Sequence, residues 1–272
     1  MNDLISKYLS QIKKDGLSKT WDNILVNSLN GSNEYNVENF GELYEIGLEC
    51  TNKISKKEMG KYYTPEDVAS ILSNWLLPLN GVNICDVGCG TGNLILNYLS
   101  KLKYNDAKKL IEDGHIYLYD VDSLALKICK YSIAIKYGSD LLDKIHDIKC
   151  DFLNKKIKLP IDSKVISNPP YYKITKIKKS WEITDVIKNS KELYSSFMEK
   201  IITQSDSSVI ITPYSFIGCD KFYLLRRLMN DYNGFIVSFD NVPGNIFNGR
   251  KHGIFNSNST NSVRAAITVT EN

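Results

Sequence analysis

The sequence predicts an α/β fold: one seven-stranded sheet with helices on both faces, preceded by a small helical segment. Three observations predict it. Short apolar runs of strand length recur from about residue 82 onward, separated by stretches of helical periodicity. One of them, Val82-Asn83-Ile84-Cys85-Asp86-Val87, runs into Gly88-Cys89-Gly90-Thr91-Gly92 and then the apolar helix start Asn93-Leu94-Ile95-Leu96, a strand–turn–helix unit. Successive strands also end in polar residues, Asp86, Asp120, Asp151 and Asn168, at the sheet edge where open α/β proteins bind ligands.

The composition bounds the problem. The chain has 272 residues, 43% of them hydrophobic, which is enough for one sizeable core. A formal net charge of +3 is too small to imply nucleic acid by itself, so that case must rest on local clusters. No apolar run reaches the roughly 18 residues of a membrane-spanning helix, so no membrane partner is expected. The opening residues MNDLISKYLSQIKKDG lack the apolar core of a signal peptide. Cys50, Cys85, Cys89, Cys129, Cys150 and Cys219 form no C-x-x-C pair, and His115, His146 and His252 show no ligand spacing. The cysteines read as reduced core residues of a cytoplasmic protein with no metal site.

Taken in order, residues 1–55 read as a helical N-terminal cap and residues 56–272 as the main domain. Leu4, Ile5, Tyr8, Leu9 and Ile12 recur at helical spacing; Asn30-Gly31-Ser32-Asn33 is a turn; Phe40, Leu43, Tyr44, Ile46, Gly47 and Leu48 suggest a second amphipathic helix. An apolar stripe of this kind is read as packing. In Gly60-Lys61-Tyr62-Tyr63-Thr64-Pro65-Glu66-Asp67, Thr64 suits an N-cap, Pro65 the first helical position and the acids the first turn. The helix then runs through Val68, Ile71, Leu72 and Trp75. This is either a well-capped helix and no more, or a start where the Thr64 hydroxyl and nearby backbone hold a small anionic group.

The glycine turn follows a strand and opens a helix, but its spacing is not the dinucleotide G-x-G-x-x-G. Asp86 just ahead of it would repel a pyrophosphate and suits an amino group. That disfavours a dinucleotide-dependent oxidoreductase and points to a zwitterionic, amino-acid-like cofactor. The strand at 115–119 ends at Asp120, placed for ribose hydroxyls. The strand near 145–150 ends at Asp151-Phe152, a carboxylate for an adenine amino group and a ring for the base face. Lys164-Val165-Ile166 ends in Ser167-Asn168-Pro169-Pro170-Tyr171, where two prolines stop the ladder and supply no N–H of their own. By itself this is an ordinary Asn-Pro turn; the acidic strand ends upstream give it a second reading. Strands at 208–212, 235–239 and 263–269 complete the seven.

These pieces together resemble the S-adenosylmethionine-dependent DNA adenine-N6 methyltransferases of bacterial restriction–modification systems. The matching residues are Gly60 to Pro65, Asp86 to Gly92, Asp120-Val121-Asp122, Asp151-Phe152-Leu153 and Asn168-Pro169-Pro170-Tyr171, with looser matches at Leu193-Tyr194-Ser195-Ser196-Phe197 and Ile210-Ile211-Thr212-Pro213. They cover about residues 40 to 270, in the order of the subgroup that includes type I modification subunits and several type II enzymes. The resemblance implies the Rossmann-like seven-stranded methyltransferase sheet and S-adenosyl-L-methionine as cofactor. Tyr63, Thr64, Pro65, Asp86, Gly88, Gly90 and Gly92 would surround its methionine part. Asp120 and Val121 would meet the ribose, Asp151 and Phe152 the adenine, and Phe197 would close that pocket. Asn168, Pro169, Pro170 and Tyr171 would act on an adenine flipped out of double-stranded DNA. Tyr171 and Phe247, in the loop Gly244-Asn245-Ile246-Phe247-Asn248-Gly249, would stack on that base.

The segment after the tetrapeptide, with Tyr172, Lys173, Lys176, Lys178, Lys179 and Trp181, is basic. Such a run is usually a solvated face; beside a DNA site, phosphate contacts from Lys173 and its neighbours become an expectation. The family normally continues into a large target-recognition domain, and this sequence stops before one. The expectation is a catalytic domain alone, truncated or paired with a separate specificity subunit. Rival readings are a methyltransferase using the same tetrapeptide on RNA or a protein glutamine, and a DNA-binding or assembly subunit without catalysis. Thr64-Pro65 ahead of the glycine turn favours DNA adenine, and intact Asn168, Tyr171 and Asp151 argue against lost catalysis.

Overall fold

The computed structural model describes residues 2–32, 34–51, 64–239 and 264–272. The N-terminal segment forms three helices, α1 (Asn2–Asp15), α2 (Leu17–Leu29) and α3 (Phe40–Thr51). From the stripe that the periodicity picks out, Tyr8, Ile12, Phe40, Leu43 and Tyr44 are buried together with Trp21 and Leu25 of α2, a helix the periodicity does not mark. The Trp21 indole donates to the Tyr8 hydroxyl at 2.9 Å, so the two polar atoms inside this cluster satisfy each other. A Cβ on Gly47 would overlap the Tyr8 hydroxyl and Leu17, so this glycine lets α3 pack closely on its neighbours. The expected domain boundary near residue 55 lies outside the described residues.

The sheet holds β1 (Asn83–Val87), β2 (Ile116–Asp120), β3 (His146–Lys149), β4 (Ser163–Ser167), β5 (Ser207–Pro213), β6 (Asn233–Ser238) and β7 (Ala265–Glu271). Their order is β3-β2-β1-β4-β5-β7-β6. β1 to β5 are mutually parallel, and β7 is antiparallel to both β5 and β6. Seven strands with helices on both faces is the expected architecture, with boundaries shifted by a residue or two.

Side chains alternate between two cores, as a two-residue period requires. Ile84, Ile116, Leu118, Ile166, Val209 and Ile211 face α4 (Glu66–Leu76), α5 (Asn93–Lys101), α6 (Tyr104–Glu112) and α7 (Ser123–Tyr137). Cys85, Val87, Tyr119, Val165 and Ile210 face α8 (Asp185–Ser190), α9 (Leu193–Gln204), α10 (Ser215–Gly218) and α11 (Tyr223–Met229). Each fully buried aliphatic side chain of this kind contributes roughly 1.5–3 kcal/mol. The N-terminal helices dock on the outer side of α7, where Ala125 and Ile128 join their cluster and Lys127 pairs with Asp22 at 2.6 Å. Among the described residues no helix is long and apolar enough to cross a membrane. All six cysteines are unpaired; Cys50 and Cys219 are exposed, which corrects their reading as core residues.

Candidate active site

β1 sends its connection to β2 on one side and has β4 on the other, so the chain reverses its winding between β1 and β4. At the carboxyl ends of these strands lies a cavity of about 590 Å³. Its wall includes Thr64, the glycine turn from Gly88 to Thr91, Asp120, Val121, Asp151, Phe152, Asn168, Pro170 and Phe197. Most of the expected site residues therefore meet in one place.

The glycine turn ends in Gly92, left-handed at φ +94°, which begins α5. A Cβ there would sit 2.5 Å from the Cys129 sulfur, so only glycine lets α5 start this close to α7. Gly90, at φ +52°, aims its N–H at Asp120 Oδ2, 2.9 Å away. The Asp122 N–H donates to the other Asp120 oxygen at 2.8 Å. Two backbone donors thus fix the carboxylate at the end of β2.

Asp86 departs from its expected place. Its strand partners are Leu118 and Ile166, so register puts it inside the sheet, two residues short of Gly88. The side chain is fully buried under α5, where Oδ2 accepts the Ile95 N–H at 3.1 Å, and it is not part of the cavity wall. Burial, reinforced by the Asp120 charge, pushes its pKa up to about 8, against the Ile95 hydrogen bond that favours the charged form. Oδ1 has no hydrogen-bond partner among the described residues.

Thr64 also departs. The N-cap of α4 is Pro65 in extended conformation, with no side-chain cap. The Thr64 hydroxyl is engaged elsewhere: it accepts from Asn168 Nδ2 at 2.9 Å. The Asn93 side-chain amide donates to the Thr64 carbonyl, tying the segment before α4 to the start of α5. Asn168 Oδ1 accepts from the Tyr171 hydroxyl at 2.5 Å, and that hydroxyl lies 3.0 Å from the Ile211 carbonyl. Asn168 is therefore oriented from both ends of its amide. Pro169 is buried and Pro170 is on the wall. The Tyr171 ring meets Tyr194 edge-on at 6.1 Å, outside the cavity wall, while Tyr172 borders the cavity.

Phe152 is buried at the cavity, with its ring 5.3 Å from Phe197 and 5.8 Å from Tyr119. Lys200 reaches up from α9 to donate to the Phe152 and Asn154 carbonyls. Asp151 Oδ2 accepts from Lys178 Nζ at 2.6 Å and Trp181 Nε1 at 2.9 Å. In the basic segment Lys173, Lys176, Lys178 and Lys179 are all exposed, and Lys178 pairs with a carboxylate of the cavity. Lys173 lies off the cavity wall. Tyr63 and Phe247 lie outside the described residues. Sequence reasoning missed Tyr44, Glu45 and Leu48 of α3, Tyr172 and Trp181, all of which border the cavity.

A family model described as N-6 DNA methylase matches residues 36–231. The methylase subunit of the type I restriction enzyme MjaIX from Methanocaldococcus jannaschii is 27% identical over 172 residues, 63% of this chain and 30% of that protein. Among solved structures, the DrdV–DNA complex superposes with a TM-score of 0.64 at 17% identity, covering 86% of this chain and 29% of that one. A modification subunit assigned to a type I restriction enzyme of Vibrio vulnificus gives 0.59 at 17% identity, covering 89% and 51%. At these identities the structural likeness is one of fold, and the chain spans between about a third and half of the length of these relatives.

Proposed function

Since this chain belongs to the N-6 DNA methylase family, we propose that it transfers a methyl group from S-adenosyl-L-methionine to the exocyclic N6 of an adenine flipped out of double-stranded DNA. The observation that carries the reading is the Asn168 amide, held by Thr64 and Tyr171 on the wall of the cavity. The residues present fit the cofactor. The cavity volume falls within the roughly 300–1,000 Å³ of small-ligand sites. Carboxylates from Asp120 and Asp151 border it, as do the buried aromatic residues Phe152 and Phe197. When bound, S-adenosyl-L-methionine supplies an electrophilic methyl group on a sulfonium.

The residues of the chain do the positioning. An exocyclic adenine amine is a weak nucleophile because its lone pair is delocalised into the ring. Asn168 Oδ1 and the Pro169 carbonyl can each accept one amine hydrogen, which favours a pyramidal nitrogen with its lone pair directed outward. The Tyr171 hydroxyl reaches the Ile211 carbonyl as well as Asn168 Oδ1, so it can turn to the carbonyl as the amine approaches Oδ1. No strong base is required, because the proton can leave after transfer. Fixed dipoles and orientation carry the step. Exposed Lys173, Lys176 and Lys179 offer phosphate contacts beside the site.

In the same reading the chain works in a restriction–modification system in the cytoplasm, and a separate specificity subunit supplies the target sequence. No observation favours RNA, a protein glutamine or a non-catalytic role. The test is calorimetry with S-adenosyl-L-methionine, then labelled methyl transfer to unmethylated duplex DNA. Asn168→Ala is expected to bind the cofactor as the unsubstituted chain does and to lose about 10²–10³-fold in transfer. Absence of cofactor binding by the unsubstituted chain, or full activity in Asn168→Ala, overturns the reading.

A further inference from the structure

Helix α3, which the sequence marks only as packing, supplies part of the cavity wall through Tyr44, Glu45 and Leu48. Tyr44 is 5% exposed, and its hydroxyl donates to Asp122 Oδ2 at 2.7 Å. Asp122 is committed on all sides. Its Oδ1 accepts the N–H groups of Leu124 and Ala125 and so caps α7, while its own N–H donates to Asp120 Oδ1. Asp120 Oδ2 takes the Gly90 N–H from the glycine turn. One unbroken run of hydrogen bonds joins α3 to the carboxylate at the end of β2. A buried phenol needs a partner, but a nearby carbonyl would satisfy it equally well. This one clamps the residue whose backbone orients Asp120. Burial and the Asp122 charge raise the Tyr44 pKa far above its ordinary value, so the hydroxyl stays a donor.

We propose that Tyr44 is a positioning residue of the cofactor site: acting through Asp122, it holds the Asp120 carboxylate in the orientation that accepts ribose hydroxyls. The N-terminal helices are then a working wall of the pocket. The proposal rests on the methyltransferase reading above and adds to it a dependence on one hydroxyl of α3.

The test is calorimetry on the full chain with two ligands, S-adenosylhomocysteine and its 2′,3′-dideoxy analogue. The unsubstituted chain should bind the dideoxy analogue more weakly. Tyr44→Phe keeps the buried ring and should weaken S-adenosylhomocysteine binding about five-fold, the worth of one hydrogen bond, while leaving affinity for the dideoxy analogue unchanged. Equal weakening for both ligands would reduce Tyr44 to packing and overturn the proposal, as would no weakening of either. If Tyr44→Phe does not fold, Asp122→Ser, whose hydroxyl can still cap α7 but is too short to reach Tyr44, must show the same ligand-dependent loss. An unsubstituted chain that binds both ligands alike removes the ribose role of Asp120 and this proposal alone. One that binds neither removes the methyltransferase reading and this proposal together.

Discussion

Tyr171 shows how much one hydroxyl can decide. It sits 2.5 Å from Asn168 Oδ1 and competes for the oxygen that must meet the substrate amine. Tyr171→Phe removes the competitor and keeps the ring, so kcat/KM for DNA should hold at or above the unsubstituted value; a loss beyond about ten-fold would show that orienting Asn168 matters more than freeing it. Asp86 makes a prediction of a different kind. Its folded pKa of about 8 lies well above the value of an unfolded aspartate. The folded chain therefore binds the proton more tightly, and the stability this contributes is present at low pH and lost as pH rises toward 8. Glu199, also raised by burial, acts in the same direction. The melting temperature should fall between pH 5 and 8, and Asp86→Asn should flatten much of that slope; an unchanged slope would mean that Asp86 is ionised in the folded chain. The glycine turn and the tetrapeptide were legible because they are local patterns with a local meaning. Asp86 was misplaced because register decides which face of the sheet its side chain takes, and Thr64, which lines the cavity, was misread as an N-cap because its hydroxyl's partner lies 104 residues away.

At the scale of elements, the segment after the tetrapeptide is stitched to the loop that carries Asp151 and Phe152. The Lys155 N–H bonds the Ser180 carbonyl, the Glu182 N–H bonds the Leu153 carbonyl, and Asn154 pairs with Trp181 as an isolated bridge. Two side chains complete the clasp on Asp151. Lys178 is 60% exposed, and a solvent-facing ion pair contributes little. Trp181 is buried at 5%, so its indole N–H carries the positioning. Trp181→Phe should weaken cofactor binding about five-fold with kcat at saturating cofactor retained, read from the split between KM and kcat. A fall in kcat with KM unchanged would place Trp181 in the transfer step instead. In the sequence this stretch reads as a basic surface, because charge composition is visible and pairing is not. Helix α3 was legible as a helix for the same reason that its role was hidden: Tyr44 and Leu48 show an apolar face, and nothing local says that the face borders a cavity.

At the scale of the whole molecule, the sheet and its polar strand ends were readable because the two-residue and 3.6-residue periods do not depend on neighbours. Strand order was not, and it is what brings Asp120 and Asn168 to either side of the glycine turn. One feature of that order bears on how the protein is made. β7 is the last of the seven strands to be synthesised, yet it pairs along its whole length with β5 on one side and from Ala266 to Glu271 with β6 on the other. Until it emerges from the ribosome, β5 presents a run of unpaired backbone groups beside the buried residues Val209, Ile210 and Ile211. A nascent chain of this fold thus carries an open, apolar strand edge from the time β5 is made at Ser207–Pro213 until β7 follows at Ala265–Glu271, an interval in which pairing with the wrong strand competes with the right one.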